Sequence, residues 1–135
     1  MPYELEPIGV VSSPLPDRES APCQGDEGAP DAWIELTPAV AAGLEGIEPG
    51  HELLVITWLH EAERDVLRVY PRGDRSRGLA GVFATRSPDR PNPLGLHRVT
   101  VLMLEPGRLK VGPLEAIDGT PVVDIKPVLR TIPER

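Results

Sequence analysis

The sequence predicts an all-β domain, an antiparallel barrel or sandwich carrying one short helix. Seventeen prolines and thirteen glycines divide 135 residues into short apolar runs, each about the length of a strand. The runs follow one another without the strand–helix–strand alternation of a doubly wound sheet. A chain of this length fits one domain, residues 1–135, whose core requires neither disulfides nor a metal.

Each element has its own warrant. Residues 3–11 (YELEPIGVV) read as a first strand, and residues 12–31 as a long loop of turn formers with no apolar period. Loops of that length in small domains are often functional. Residues 32–36 (AWIEL) form a short alternating strand. Thr37 and Pro38 supply an N-cap and a first helical residue, and Val40, Leu44 and Ile47 fall at helical spacing. Gly43 and Gly46 weaken that helix. Residues 52–62 (ELLVITWLHEA) are β-branched and apolar, a central strand, with residues 65–71 as its expected hairpin partner. Residues 71–78 form a basic loop and residues 79–85 a buried strand. Residues 97–105 and 108–117 pair across Pro106–Gly107, a strong turn signal. A tight turn, Asp118-Gly119-Thr120-Pro121, leads to a last strand over residues 122–129, which Pro127 confines to an edge or an end.

Composition narrows the function. The N-terminus lacks a signal peptide's basic start and apolar run, and no stretch approaches a membrane span. One cysteine, Cys23, makes no internal bridge and suits a reducing cytoplasm. Net charge is −7 but uneven. Residues 1–63 hold thirteen acids and one base, residues 64–135 thirteen bases and eight acids. That asymmetry leaves room for one basic face around an anionic ligand, although mixed surface charge also serves solubility. There is no GxGxxG after a strand, no Walker loop, no GxSxG elbow and no Cys/His spacing for a metal. His51, His60 and His97 stand far apart in the chain.

The most informative segment is residues 82–99, VFATRSPDRPNPLGLHRV. Pro88, Pro91 and Pro93 stiffen it and lower the entropy cost of holding Arg86 and Arg90 in place. Guanidinium groups on a preorganised loop suit a carboxylate, a phosphate or a stacked ring. The same residues also serve a stiff connector whose arginines pair with local acids such as Asp89.

This segment and DGTPVVDIKPVL, residues 118–129, together resemble the TsaA-like family, whose best characterised members are the tRNA threonylcarbamoyl-adenosine N6-methyltransferases called TrmO. PIGVVSSP, APCQ and GLEGIEPGHELLVITWLHEA extend the resemblance over nearly the whole chain. It implies a small antiparallel β-barrel that binds S-adenosylmethionine without a Rossmann framework, as a homodimer with the cofactor near the subunit interface. Carried onto this chain, the cofactor contacts are Pro22, Cys23 and Gln24; His60 and Glu61; Arg86 and Leu96; and Asp118, Gly119, Thr120 and Pro121. Arg86 would meet the methionyl carboxylate or close over the adenine, Leu96 would wall the adenine, and Asp118 would take a ribose hydroxyl or the ammonium. Asp118, Asp124 and His60 are the candidate bases, unranked. Lys126 and Arg90, with Arg72, Arg75 and Arg77, would meet phosphates of a tRNA anticodon loop. No metal is implied.

The chain departs from the family pattern at two places. Glu52 stands where the family usually has histidine, and Val128 where it has tyrosine. The longer tRNA enzymes also continue beyond the position of Arg135 into a C-terminal domain. Three functions are therefore expected to compete: a cytoplasmic tRNA adenosine N-methyltransferase, a methyltransferase of a small molecule or another modified base, and a non-catalytic S-adenosylmethionine-binding module.

Overall fold

Alternation of aliphatic and exposed residues dictates the sheet. In residues 94–101, Gly95 and the side chains of His97, Val99 and Val101 are buried, while Leu94, Leu96 and Arg98 face out. Residues 53–57 do the same with Leu53, Val55 and Thr57 inward. Period-two burial of this kind demands a strand with one face on a core. The computed structural model describes residues 3–16 and 29–129. Its strands are β1 (Gly9–Ser12), β2 (Ala32–Leu36), β3 (Glu52–Trp58), β4 (Arg68–Val69), β5 (Ala80–Gly81), β6 (Leu94–Glu105), β7 (Arg108–Gly112) and β8 (Pro121–Pro127). Six of these close into a barrel in the order β1-β2-β7-β6-β3-β8, and every neighbouring pair is antiparallel. Closure leaves that sheet no unpaired edge.

A six-stranded barrel is narrow, so its interior is filled by side chains rather than by a ligand. The filling is aliphatic and small: Val11, Ile34, Leu53, Val55, Val99, Val101, Leu109, Val111 and Val122 are all at most 2 % exposed. β6 is long enough to serve two partners, pairing with β3 through residues 94–100 and with β7 through residues 100–105. A register shift between Val101 and Met103 lets the strand bend from one to the other.

The antiparallel barrel with a short helix is the fold expected from the sequence. Its parts differ in several places. The first strand is shorter than residues 3–11, beginning at Gly9. The helix is a 3₁₀ helix, Pro38–Leu44, with Pro38 inside its first turn and no side-chain cap bond from Thr37. Residues 65–71 do not form a hairpin with β3, whose ladder bonds go to β6 and β8. β4 pairs instead with β5 as a two-stranded arm outside the barrel. The segment read as a buried strand over residues 79–85 is β5 followed by one 3₁₀ turn, Val82–Ala84, with Leu79 and Phe83 exposed. The turns were legible: Gly107 and Gly119 sit at φ 74° and 85°, the region glycine adopts without a Cβ clash. Pro127 ends its strand, where it breaks nothing.

Candidate functional site

Strand direction gathers the sequence motifs. In an antiparallel barrel the end of one strand lies beside the start of its neighbour. Here Ser12 pairs with Trp33, Ala32 with Val111, Trp58 with Leu94, Thr57 with Val122, and Val10 with Pro121. So the ends of β1, β3 and β7 and the starts of β2, β6 and β8 share one rim. The connections leaving that rim are residues 13–31, 59–93 and 113–120. These carry the Pro22–Gln24 motif, His60 and Glu61, Arg86, and the Asp118 turn. The opposite rim carries the 3₁₀ helix, the Pro106–Gly107 turn and the end of β8. A depression of about 420 Å³ lined by Gly50, His51, Glu52, Pro127 and Val128 lies at that opposite rim, away from His60, Arg86 and Asp118.

The Asp118 turn is stitched to the start of the long loop. Ser13 N donates to Asp118 Oδ1 at 3.0 Å, Asp118 N to Leu15 O at 2.7 Å, and Gly119 N to Val11 O at 2.8 Å. Leu114 N donates to Pro30 O at 2.9 Å, where the same loop returns. Both described ends of the loop are therefore fastened to residues 114–119. Pro22, Cys23 and Gln24 lie outside the described residues. Asp118 is exposed and its Oδ2 has no partner among the described residues. A Cβ at Gly119 would meet nothing within 4 Å, so a ligand can approach the backbone there. Thr120 is 1 % exposed and its hydroxyl donates to Ile117 O at 2.7 Å. Its side chain is thus committed to the turn, and its main chain is engaged as well: Thr120 N donates to Ile117 O at 3.1 Å and Thr120 O accepts from Val11 N at 2.9 Å.

The proline-rich loop is stitched to the turn after β3. Leu59 N donates to Pro93 O at 2.8 Å, Arg90 N to Glu63 O at 3.0 Å, and Glu63 N to Asp89 Oδ1 at 2.8 Å. Arg64 Nε donates to Pro91 O at 2.7 Å and its Nη2 to Asn92 Oδ1 at 3.1 Å, while its guanidinium lies 5.0 Å over the Trp58 ring. The two loop arginines separate here. Arg90 is half-buried and its Nη2 donates to the carbonyls of Val82 and Thr85, which folds the loop. Arg86 is exposed, and its guanidinium has no hydrogen bond or ion pair among the described residues. His60 Nε2 stands 3.9 Å from Glu61 Oε2, both partly exposed.

Leu96, 45 % exposed, lies on the outer wall beside the rim, in register with Ile56 of β3 and, beyond it, Asp124 of β8. Asp124 is thus two strands from Leu96, roughly 10 Å at ordinary strand spacing. Its Oδ1 accepts from Ile125 N at 2.9 Å. Lys126 pairs with Leu54, further toward the opposite rim, and its Nζ is 4.0 Å from Asp124 Oδ2. Sequence reading missed Arg64 and Trp58, which brace the loop. It also missed the buried His97 and Thr57 and the half-buried Glu115 bonded to His97. Nothing local marks these residues, because each works through a partner distant in the chain.

Residues 10–133 match the family described as the tRNA-methyltransferase O N-terminal domain. The chain belongs to this family. It is 45 % identical over 133 residues to a probable S-adenosyl-L-methionine-binding protein of Methanothermobacter thermautotrophicus, covering 98 % of this chain and 94 % of that one. A second relative, the S-adenosyl-L-methionine-binding protein of Archaeoglobus fulgidus, is 47 % identical over 122 residues, 90 % of this chain and 86 % of its own. The crystal structure of TrmO from Pseudomonas aeruginosa superposes with a TM-score of 0.75 at 32 % identity, covering 96 % of this chain. The chain spans 57 % of that TrmO chain's length. In this tRNA-methyltransferase O N-terminal domain, then, three motif-bearing connections leave a single rim, and no helix of the described residues is long and apolar enough to cross a membrane.

Proposed function

We propose that this chain binds S-adenosylmethionine at the rim where residues 13–16, 29–31, 59–64, 82–96 and 113–121 converge, and methylates a nitrogen, the N6 of threonylcarbamoyl-adenosine in tRNA anticodon loops. The observation that carries the reading is Arg86: an exposed, uncommitted guanidinium on a braced loop, at the rim shared with Asp118 and Gly119. The donor set suits the ligand. Arg86 pairs with the methionyl carboxylate, Asp118 Oδ2 accepts from the ribose or the ammonium, the open backbone at Gly119 admits close approach, and Leu96 walls the adenine. Family membership and relatives named for S-adenosylmethionine binding support it.

The bound sulfonium supplies an already activated methyl. The protein therefore has two tasks, to hold the acceptor nitrogen in line with it and to receive the nitrogen's proton. His60, Asp118 and Asp124 are the groups in place to accept that proton; Asp118 and His60 lie on the rim itself. Lys126 on the outer wall is the cation for a nucleic-acid phosphate. Arg90, bonded to its own loop, positions rather than contacts it. The apolar outer wall beside the rim, with Ile56, Trp58, Leu94 and Leu96, suits a homodimer that brings the ligand near the subunit boundary. A cytoplasmic location goes with a tRNA acceptor.

Titration calorimetry tests the core of this. Wild type binds S-adenosylmethionine, and Arg86→Ala weakens binding about 10–100-fold, as loss of a charged hydrogen-bonded pair does. No binding by wild type at millimolar ligand overturns the reading; an unchanged affinity in Arg86→Ala removes that residue from the site. A second reading has its own observations: the net charge is −7, and the relatives are named for binding alone. It is a methyltransferase of a small molecule, or a non-catalytic binding module. Methyl incorporation into tRNA with salt-dependent binding rejects it.

A further inference from the structure

Among the described residues the buried polar side chains are Thr120, bonded to its own turn, and the pair Thr57 and His97 beneath the rim. His97 on β6 is 5 % exposed, and both ring nitrogens are engaged: Nε2 with Thr57 Oγ1 at 2.7 Å, Nδ1 with Glu115 Oε1 at 2.6 Å. An ionised carboxylate only accepts, so Nδ1 donates to it, and the Thr57 hydroxyl satisfies Nε2. The site is built for this set. A Cβ on Gly95, two residues before His97, would lie 2.4 Å from Thr57 Oγ1 and 2.7 Å from His97 Nε2. Glycine there leaves the space the pair occupies.

The partners are informative. Glu115 belongs to residues 113–120, which leave the ladder after Gly112 and carry Asp118 and Gly119. The backbone of that segment donates to Pro30, Leu15 and Val11, all on the β1–β2 side. Among the described residues, His97–Glu115 is the one side-chain hydrogen bond joining it to β6, the strand that carries Leu96. Thr57 is the last-but-one residue of β3, just before the turn with His60 and Glu61. A buried polar pair is a poor way to add stability compared with packed hydrocarbon, but its directionality specifies geometry.

We propose that His97 is a positioning residue for the ligand rim: through Glu115 it sets where the Asp118 turn sits relative to Leu96, and through Thr57 it ties both to the end of β3. The proposal rests on the S-adenosylmethionine-binding reading above, since it concerns how the two walls of that site are spaced. It follows that the pair acts on affinity in the folded protein, not only on its unfolding.

The test is titration calorimetry with S-adenosylmethionine at 25 °C on His97→Ala, Glu115→Ala, Glu115→Gln and the double alanine variant, with circular-dichroism melting of each. Expected are a roughly tenfold loss of affinity in Glu115→Ala and His97→Ala, no further loss in the double variant, and recovery to within about threefold in Glu115→Gln, whose carbonyl still accepts from Nδ1. Folded alanine variants that bind as wild type does, whatever their melting temperatures, overturn the proposal. If His97→Ala does not fold, the Glu115→Ala and Glu115→Gln comparison decides alone. Wild type that fails to bind the ligand defeats the binding reading instead. The positioning claim is then read from hydrogen exchange: the Asp118 and Gly119 amides exchange faster in Glu115→Ala and not in Glu115→Gln if it holds, and alike in both if it does not.

Discussion

Truncating Ile34 to alanine lowers the free energy of unfolding by about 2–5 kcal/mol, the range for deleting a buried aliphatic side chain. Ile34 is fully buried and sits in register between Val11 on β1 and Leu109 on β7, themselves at most 1 % exposed. Three neighbouring strands thus contact one another through this side chain. A closed barrel cannot collapse around a void as an open sheet can, because each strand is held on both sides by its ladder. The cavity term therefore adds to the lost transfer energy. Against a domain stability of roughly 5–15 kcal/mol this is a large share. Urea denaturation checks it: the midpoint falls while the slope is unchanged, and Ile34→Val loses only about 0.5–1.5 kcal/mol. A loss below about 1 kcal/mol in Ile34→Ala shows that the barrel relaxes into the space.

Gly95→Ala is the second large effect, and it reaches the ligand rim as well as the fold. The added methyl meets Thr57 Oγ1 at 2.4 Å, His97 Nε2 at 2.7 Å and Leu59 Cδ2 at 3.1 Å. The first two atoms are bonded to each other and buried, so neither can swing into solvent. Overpacking costs about 1–3 kcal/mol, and a disrupted buried hydrogen bond adds a similar amount. The expected sum is about 2–6 kcal/mol, read by the same denaturation experiment, together with weakened S-adenosylmethionine affinity. Gly43→Ala is the matched control. It lies in the exposed 3₁₀ helix with nothing within 4 Å of a Cβ, and alanine there is neutral or slightly stabilising. Equal stability of the two variants means that the His97 pocket is looser than its distances indicate.

The features read correctly in advance are the local ones. The turn at Pro106–Gly107 was legible because it needs one glycine at positive φ, a demand written in two adjacent residues. The same holds for the Asp118–Pro121 turn, with Gly119 at positive φ, and for the alternating strand at residues 32–36, where burial follows a period of two. The pairing of β3 was misread because residues 65–71 are its nearest neighbours in sequence. Its true partners, β6 and β8, are distant, and closing the barrel satisfies both of its edges. Residues 68–69 then find only β5.

Chemical identity and position account for the rest. Local chemistry marked the stiff cationic loop and the glycine turn but left them open as a connector and a turn; it is the resemblance to the TsaA-like family, carried by residues 82–99 and 118–129, that names Arg86, Leu96 and the Asp118 turn as expected cofactor contacts. Arg86 and Arg90 are the same residue four positions apart, and no local signal separates them. The fold does so by aiming Arg90 at the carbonyls of Val82 and Thr85 while Arg86 faces solvent. Thr120 reads as a polar contact until its hydroxyl is seen bonded to Ile117 O. His97 meets Glu115 and Thr57 across separations of 18 and 40 residues, and no window of sequence holds all three. Strand closure brings them together, since register depends on how every strand is satisfied at once and not on any one segment's preference.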